Sequence, residues 1–198
     1  MRLLIVSEGT SELGGALETF VRRLLEIEFA ADFRKISDSR ALHWQGKGLG
    51  HFKRAVKWLM YAHREKYDAV VIVIDRDRPS GRKEDPVQQY RDAQATDLAP
   101  IRRALGVAIR TFDAWMLADE VAFARVVGRT VAQQPDPESI KEPKVVCRQL
   151  RDQHGSSLSL QDLYTKIAET ARFEILETRC SKGFAPFADR VRQLRVSL

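Results

Sequence analysis

The chain has 198 residues, 33 Lys and Arg against 27 Asp and Glu, a formal charge of +6 and a sequence pI near 9.5. That length suits one domain, or one domain with a small appendage, and an apolar share of 44% with nine Phe, three Trp and four Tyr excludes a globally disordered chain. No apolar run approaches the ~18 residues of a membrane-spanning helix, and Cys147 and Cys180 are too few for a disulfide framework and too far apart for a metal knuckle, so a soluble, cytoplasmic protein with no membrane partner and no secretory signal is expected.

The run Arg2-Leu-Leu-Ile-Val-Ser7 is short, continuous and apolar, which predicts a buried strand, and Glu8-Gly-Thr-Ser11 predicts a turn ending in a helix N-cap. Leu13, Leu17, Phe20, Val21, Leu24, Leu25 and Ile27 then recur at spacings of three and four, with Glu18, Arg22, Arg23 and Glu26 on the other face, the pattern of an amphipathic helix whose first turn Gly14 and Gly15 weaken. Phe52, Val56, Leu59, Met60 and His63 predict the apolar face of a second helix, with Lys53, Arg54, Lys57 and Arg64 outside. His63 reads there as a core histidine. Ala69-Val-Val-Ile-Val-Ile74, apolar on both faces, predicts a central strand of a parallel sheet covered by helices on each side.

Past a polar loop over 75–86, the pattern predicts a helix over 87–105, a short strand over 106–110 and a helix over 115–127. Three prolines in 132–143 predict a linker or surface excursion, and 144–152, 160–176 and 187–196 predict helices that cap the sheet. The fold class is therefore α/β, a mainly parallel sheet flanked by helices, with a core over 1–130 and a helical C-terminal extension over 131–198 packed on it.

The basicity belongs to one segment. Residues 34–83 hold 13 Lys and Arg and 5 Asp and Glu, a surplus of 8, whereas the remaining residues are in deficit by 2. Such a stripe binds phosphates by displacing counterions, although a merely solvated helix face has the same composition. Lys53, Arg54, Lys57 and Arg76 are its candidate phosphate contacts, and Lys144 and Lys182 are further candidates to neutralise a phosphate oxygen, although for either one singly surface solvation is the stronger explanation. Gly46-Lys-Gly-Leu-Gly50 matches neither a Walker loop nor a dinucleotide fingerprint.

Acids fall where sheet geometry brings ligands. Glu8 follows the first strand and Asp75 and Asp77 follow the strong one, and in open α/β sheets ligands bind beyond the carboxyl ends of strands. Residues two apart in an extended segment point the same way, so Asp75 and Asp77 share a side. Two carboxylates ~4 Å apart repel by roughly 4 kcal/mol at an effective dielectric of 20, and a divalent cation offsets this; oxygen-only donors suit Mg²⁺ or Mn²⁺. The simpler alternative is that these acids only open a polar loop. Glu12 suits the first turn of a helix as well as a metal site, Asp113 follows a predicted strand to the same edge, and Trp115 fits the core. The four histidines lack zinc spacing, the cysteines read as small buried hydrophobes, and no Gly-x-Ser-x-Gly arrangement points to acyl transfer.

Leu4-Ile-Val-Ser-Glu8-Gly9 followed by a helix, and then Val71-Ile-Val-Ile-Asp75-Arg-Asp77, resembles the toprim domain of topoisomerases, DnaG-type primases and OLD-type nucleases. Glu8-Gly-Thr-Ser-Glu12, Phe112-Asp-Ala-Trp-Met-Leu-Ala-Asp119, Glu142-Pro-Lys144, Tyr164-x-Lys166 and residues 180–187 resemble a small stand-alone toprim-like family of bacteria encoded beside ABC/SMC-type ATPases. The resemblance implies a toprim-like, Rossmann-like fold and Mg²⁺- or Mn²⁺-dependent phosphodiester hydrolysis of nucleic acid, DNA in preference to RNA, in phage defence or a mobile element with an ATPase partner. It implies that Glu8 is the acid or base at the scissile phosphate, that Asp75 and Asp77 are catalytic metal ligands, and that Glu8, Glu12 and Asp113 can join the metal site. Asp113 stands where the family usually carries Glu. The alternatives are a non-catalytic toprim-derived subunit that binds a partner ATPase or nucleic acid, and a nucleotide-binding or phosphotransfer protein using the same edge.

Overall fold

In the computed structural model, residues 1–9, 15–38, 42, 49–76, 85–153 and 155–196 are described. The predicted first strand is β1 (Arg2–Ser7), and the run of β-branched residues after Asp68 is β3 (Ala69–Asp75). They are neighbours in an all-parallel sheet of order β2-β1-β3-β4, completed by β2 (Ala30–Lys35) and β4 (Arg102–Ala108).

Alternation along each strand divides the core in two. Leu3, Ile5, Val71, Val73, Ala104 and Ala108 point to one face. Leu4, Val6, Val70, Ile72, Ile74, Leu105 and Val107 point to the other. On the first face lie α1 (Leu17–Leu25) and the helices from α4 (Asp113–Met116) onward: α5 (Glu120–Val127), α6 (Pro143–Gln153), α7 (Leu160–Thr170), α8 (Phe173–Arg179) and α9 (Phe184–Val196). On the second lie α2 (His51–Arg64) and α3 (Pro86–Ala95). Burying one Leu, Phe or Val fully contributes roughly 1.5–3 kcal/mol, and both faces are closed by such residues.

The crossovers create an opening. From β1 the chain moves outward to β2 through α1 on the first face, then back past β1 to β3 through α2 on the second. The segments leaving β1 and β3 therefore depart to opposite faces. Between them lies the strand-order switch, where doubly wound sheets bind ligands.

Several boundaries differ from the sequence reading. The helix expected over 87–105 stops at Ala95, because Thr96 turns extended (ψ 143°) and Pro100 cannot continue a helical ladder, and β4 begins at Arg102 rather than 106. The helix expected over 115–127 is divided by Asp119, whose carboxylate caps α5 by accepting the N–H of Val121 and Ala122, each at 3.1 Å. Extended backbone at Ala171 and Arg172 likewise separates α7 from α8. On α2 the buried stripe is Ala55, Val56, Trp58, Leu59 and Ala62; Met60 is 54% exposed and His63 is exposed, not a core histidine. Trp58, absent from the expected stripe, carries the larger apolar surface and turns the helix to bury it.

The proline-rich 132–143 segment is not a free excursion. Its short helical turn Pro137–Ser139 buries Glu138, whose carboxylate accepts the backbone N–H of Lys182 at 3.1 Å and of Gly183 at 2.7 Å. Buried residues of α7, α8 and α9 share one cluster with Leu3 and Ile5, so the C-terminal helices complete the sheet's own core. Gly106 permits this: a Cβ there would stand 2.7 Å from the Phe187 ring of α9. Among the described residues no helix is long and apolar enough to cross a membrane.

Candidate functional site

The site begins with two strand ends. Ser7 pairs with Val73 in the parallel register, so Glu8 leaves β1 beside the last residues of β3, of which Asp75 is the final one. Both acids are half-buried. Asp75 Oδ1 accepts the Phe112 N–H at 2.8 Å, and the Arg76 N–H donates to the Ala108 carbonyl at 2.9 Å. The end of β3 is thereby pinned to the segment 109–112 that leaves β4.

A basic turn stands on the opposite wall. The Phe52 N–H donates to Gln89 Oε1 at 2.8 Å, joining the start of α2 to α3. Tyr90, one residue on, is fully buried; burial pushes its phenol up, the Glu8 carboxylate adds to this and the Arg54 guanidinium opposes it. Glu8 and Arg54 therefore each lie within electrostatic reach of Tyr90. Lys53 is exposed, Arg54 and Lys57 are half-buried, and Arg54 also donates to the Leu49 carbonyl at 3.3 Å. Arg76 reaches Asp85 Oδ2 at 3.4 Å.

The other candidates fall at different distances from this centre. Asp113 is buried, 7% exposed, and its Oδ1 accepts a hydrogen bond from the Tyr164 hydroxyl of α7, while its carbonyl accepts from Cys147 Sγ at 3.7 Å. It thus joins α4 to α6 and α7, and burial, with Asp113 second, pushes the Cys147 thiol up. Lys144 is exposed in the first turn of α6. Lys182 is exposed next to Gly183, where a Cβ would stand 3.0 Å from the Val107 carbonyl oxygen, so it belongs to the carboxyl end of β4. Glu12 and Asp77 lie outside the described residues. Among the described residues no group of three or more His, Cys, Asp or Glu side chains is gathered to hold a metal ion.

What remains at the switch is a pair of hard oxygen donors on adjacent strand ends with a cationic helix turn beside them. Such donors fit Mg²⁺ or Mn²⁺ in preference to thiophilic metals. Two residues of this neighbourhood escaped the sequence reading. Tyr90 lies within the helix expected over 87–105 and Glu138 in a segment whose prolines suggest a linker; for neither does the sequence carry a signal of the long-range contact that defines it. No protein-family model, no curated protein and no solved structure matches the chain.

Proposed function

We propose that the chain is a toprim-like enzyme that hydrolyses nucleic-acid phosphodiesters with Mg²⁺ or Mn²⁺, DNA in preference to RNA, alongside an ATPase partner of the ABC/SMC type. The observation that carries the reading is the position of Glu8 and Asp75 on adjacent parallel strand ends at the strand-order switch. Asp75, with Asp77 two residues on in sequence, would hold the metal, and when bound the metal supplies positive charge against a phosphate oxygen. Glu8 takes the proton of the attacking water as the water oxygen bonds to phosphorus and the bond to the bridging oxygen breaks. Lys53, Arg54 and Lys57 hold the flanking backbone, giving salt-sensitive binding with little base preference.

A second reading has its own observation. The bond from Phe112 N–H gives Asp75 a structural task, as a non-catalytic toprim-derived subunit would require. Asp75→Asn separates the two because the amide oxygen still accepts that N–H while the charge is lost. Cleavage of plasmid or single-stranded DNA by wild type with Mg²⁺ or Mn²⁺, and its loss in Glu8→Gln and Asp75→Asn with unchanged circular dichroism, supports the enzyme. Absence of metal-dependent cleavage by wild type, alone and with the ATPase, ends that reading.

A further inference from the structure

The segment between β4 and α4 carries two costs that the fold itself does not explain. Arg110 adopts φ +68°, a left-handed conformation unfavourable for a residue with a Cβ. Thr111 Oγ1, next to it, is closed off from solvent and has no hydrogen-bond partner among the described residues. The stretch is fixed at both ends: Ala108, the last residue of β4, accepts from Arg76, and Phe112 donates to Asp75. The strain is thus held in place by the candidate site.

Arg110 is conspicuous by its chemistry as well. It is half-buried, yet among the described residues its guanidinium makes no hydrogen bond and no ion pair. The other arginines around the sheet differ: Arg54 donates to the Leu49 carbonyl, Arg76 meets Asp85, Arg102 binds the Asp68 and Leu194 carbonyls, and Arg103 binds Ala93, Thr96 and Ala99. A guanidinium keeps five donors in a planar fork suited to two phosphate oxygens. A half-buried, unpaired one, two residues past the end of β4 and held by a strained loop tied to Asp75, is preorganised for an anion.

Resting on the nucleic-acid reading above, we infer that Arg110 is a binding residue of this site, receiving a backbone phosphate of the polynucleotide beside Asp75. The test uses Arg110→Gly, Arg110→Ala and a fluorescein-labelled single-stranded oligonucleotide, with EDTA present so that binding is read without cleavage. Glycine tolerates φ +68°, so Arg110→Gly keeps or raises the melting temperature. Its affinity falls about tenfold, and the slope of log affinity against log salt becomes shallower by about 0.7, one phosphate contact on a single strand. Arg110→Ala keeps the Cβ and its strain, so it gives the same binding loss without the gain in melting temperature that glycine permits. Wild-type affinity and slope in both variants overturn the inference and leave the cleavage reading intact. Wild type that binds but never cuts, with binding lost in Arg110→Gly, ends the cleavage reading and upholds the inference. Wild type without salt-dependent binding ends both.

Discussion

The two faces of the sheet are built from different material. Under α1 and the C-terminal helices, Phe20 meets Phe112, Phe173 and Phe184 at ring-centroid distances of 6.1, 6.1 and 5.3 Å, and Trp115 stacks on Phe187 at 5.4 Å. Under α2 and α3 the cluster is mainly aliphatic, with Trp58, Tyr67 and Tyr90 its buried aromatics, and the helix above it turns Lys53, Lys57 and Arg64 outward or half outward. Edge-to-face and stacked aromatics contribute ~0.5–1.5 kcal/mol per pair beyond their buried area. The first face therefore concentrates stability, and the second sets cationic charge beside Glu8 and Asp75. Substitutions on the two faces should separate folding from binding.

The largest expected effect tests the aromatic face. Phe184→Ala removes a fully buried ring that touches Phe20, Trp115, Phe173 and Phe187, and should cost about 3–5 kcal/mol in urea unfolding. A loss below about 1 kcal/mol would mean that the C-terminal helices add little to the core. The affinity of the folded variant for an oligonucleotide should not change.

Next comes the junction where that face is capped. Asp119 is fully buried, caps α5 and accepts from the Arg172 side chain at 2.7 and 2.9 Å. Burial works to raise its pKa, but the bonds from Arg172 and Ala122 prevail and hold it below the ordinary 3.8. A depressed carboxylate stabilises fully above its unfolded value and loses that contribution as pH falls through the folded value. Asp119→Ala should therefore cost roughly 2 kcal/mol at pH 7, the upper range for a lost cap. Its deficit against wild type should shrink as pH falls below about 3.8; a pH-independent deficit in thermal melts would contradict the ionised cap.

Gly106→Ala is a smaller perturbation of the same face. Its Cβ would press on the Phe187 ring at 2.7 Å, and overpacking of this kind costs about 1–3 kcal/mol. A neutral result would show that α9 shifts freely over β4.

These residues also show how far the sequence was legible. β1 and β3 are readable because an unbroken apolar run buried on both faces, four residues over Leu3–Val6 and six over Ala69–Ile74, has little other use, and from their ends follows the placement of Glu8 and Asp75. The second half of β4 is readable in the strand expected over 106–110, but its first half falls into the expected helix because Arg102 and Arg103 open it, and a strand whose first two residues are half-buried charges lacks the apolar signature there. β2, with burial that does not alternate, sits at the sheet edge and carries little pattern at all. The bond from Tyr164 to Asp113 spans 51 residues and the cradle of Glu138 spans 45 to Gly183, distances at which local patterning is silent. The left-handed backbone of Arg110 is invisible for another reason: the residue type that signals such a turn is glycine, and the position holds an arginine.

The smallest stability effect gives the sharpest contrast between the faces. The first turn of α2 contains Lys53 and Arg54 and no acid, and its Gly50 cap makes no side-chain hydrogen bond. Cations there oppose the positive end of the helix dipole, an arrangement unfavourable by about 0.3–1 kcal/mol per exposed charge. A helix selected for stability alone would carry Asp or Glu at this turn. Lys53→Gln should therefore raise the melting temperature slightly, by the equivalent of a few tenths of a kcal/mol, while weakening oligonucleotide binding and flattening its salt dependence by about one phosphate contact. Opposite signs in the two measurements would identify the turn as charge retained for a polyanion at the expense of the helix. A variant that gains stability with binding and salt dependence unaltered would instead make the turn a solvated surface, and the second face would lose its claim to a function distinct from the first.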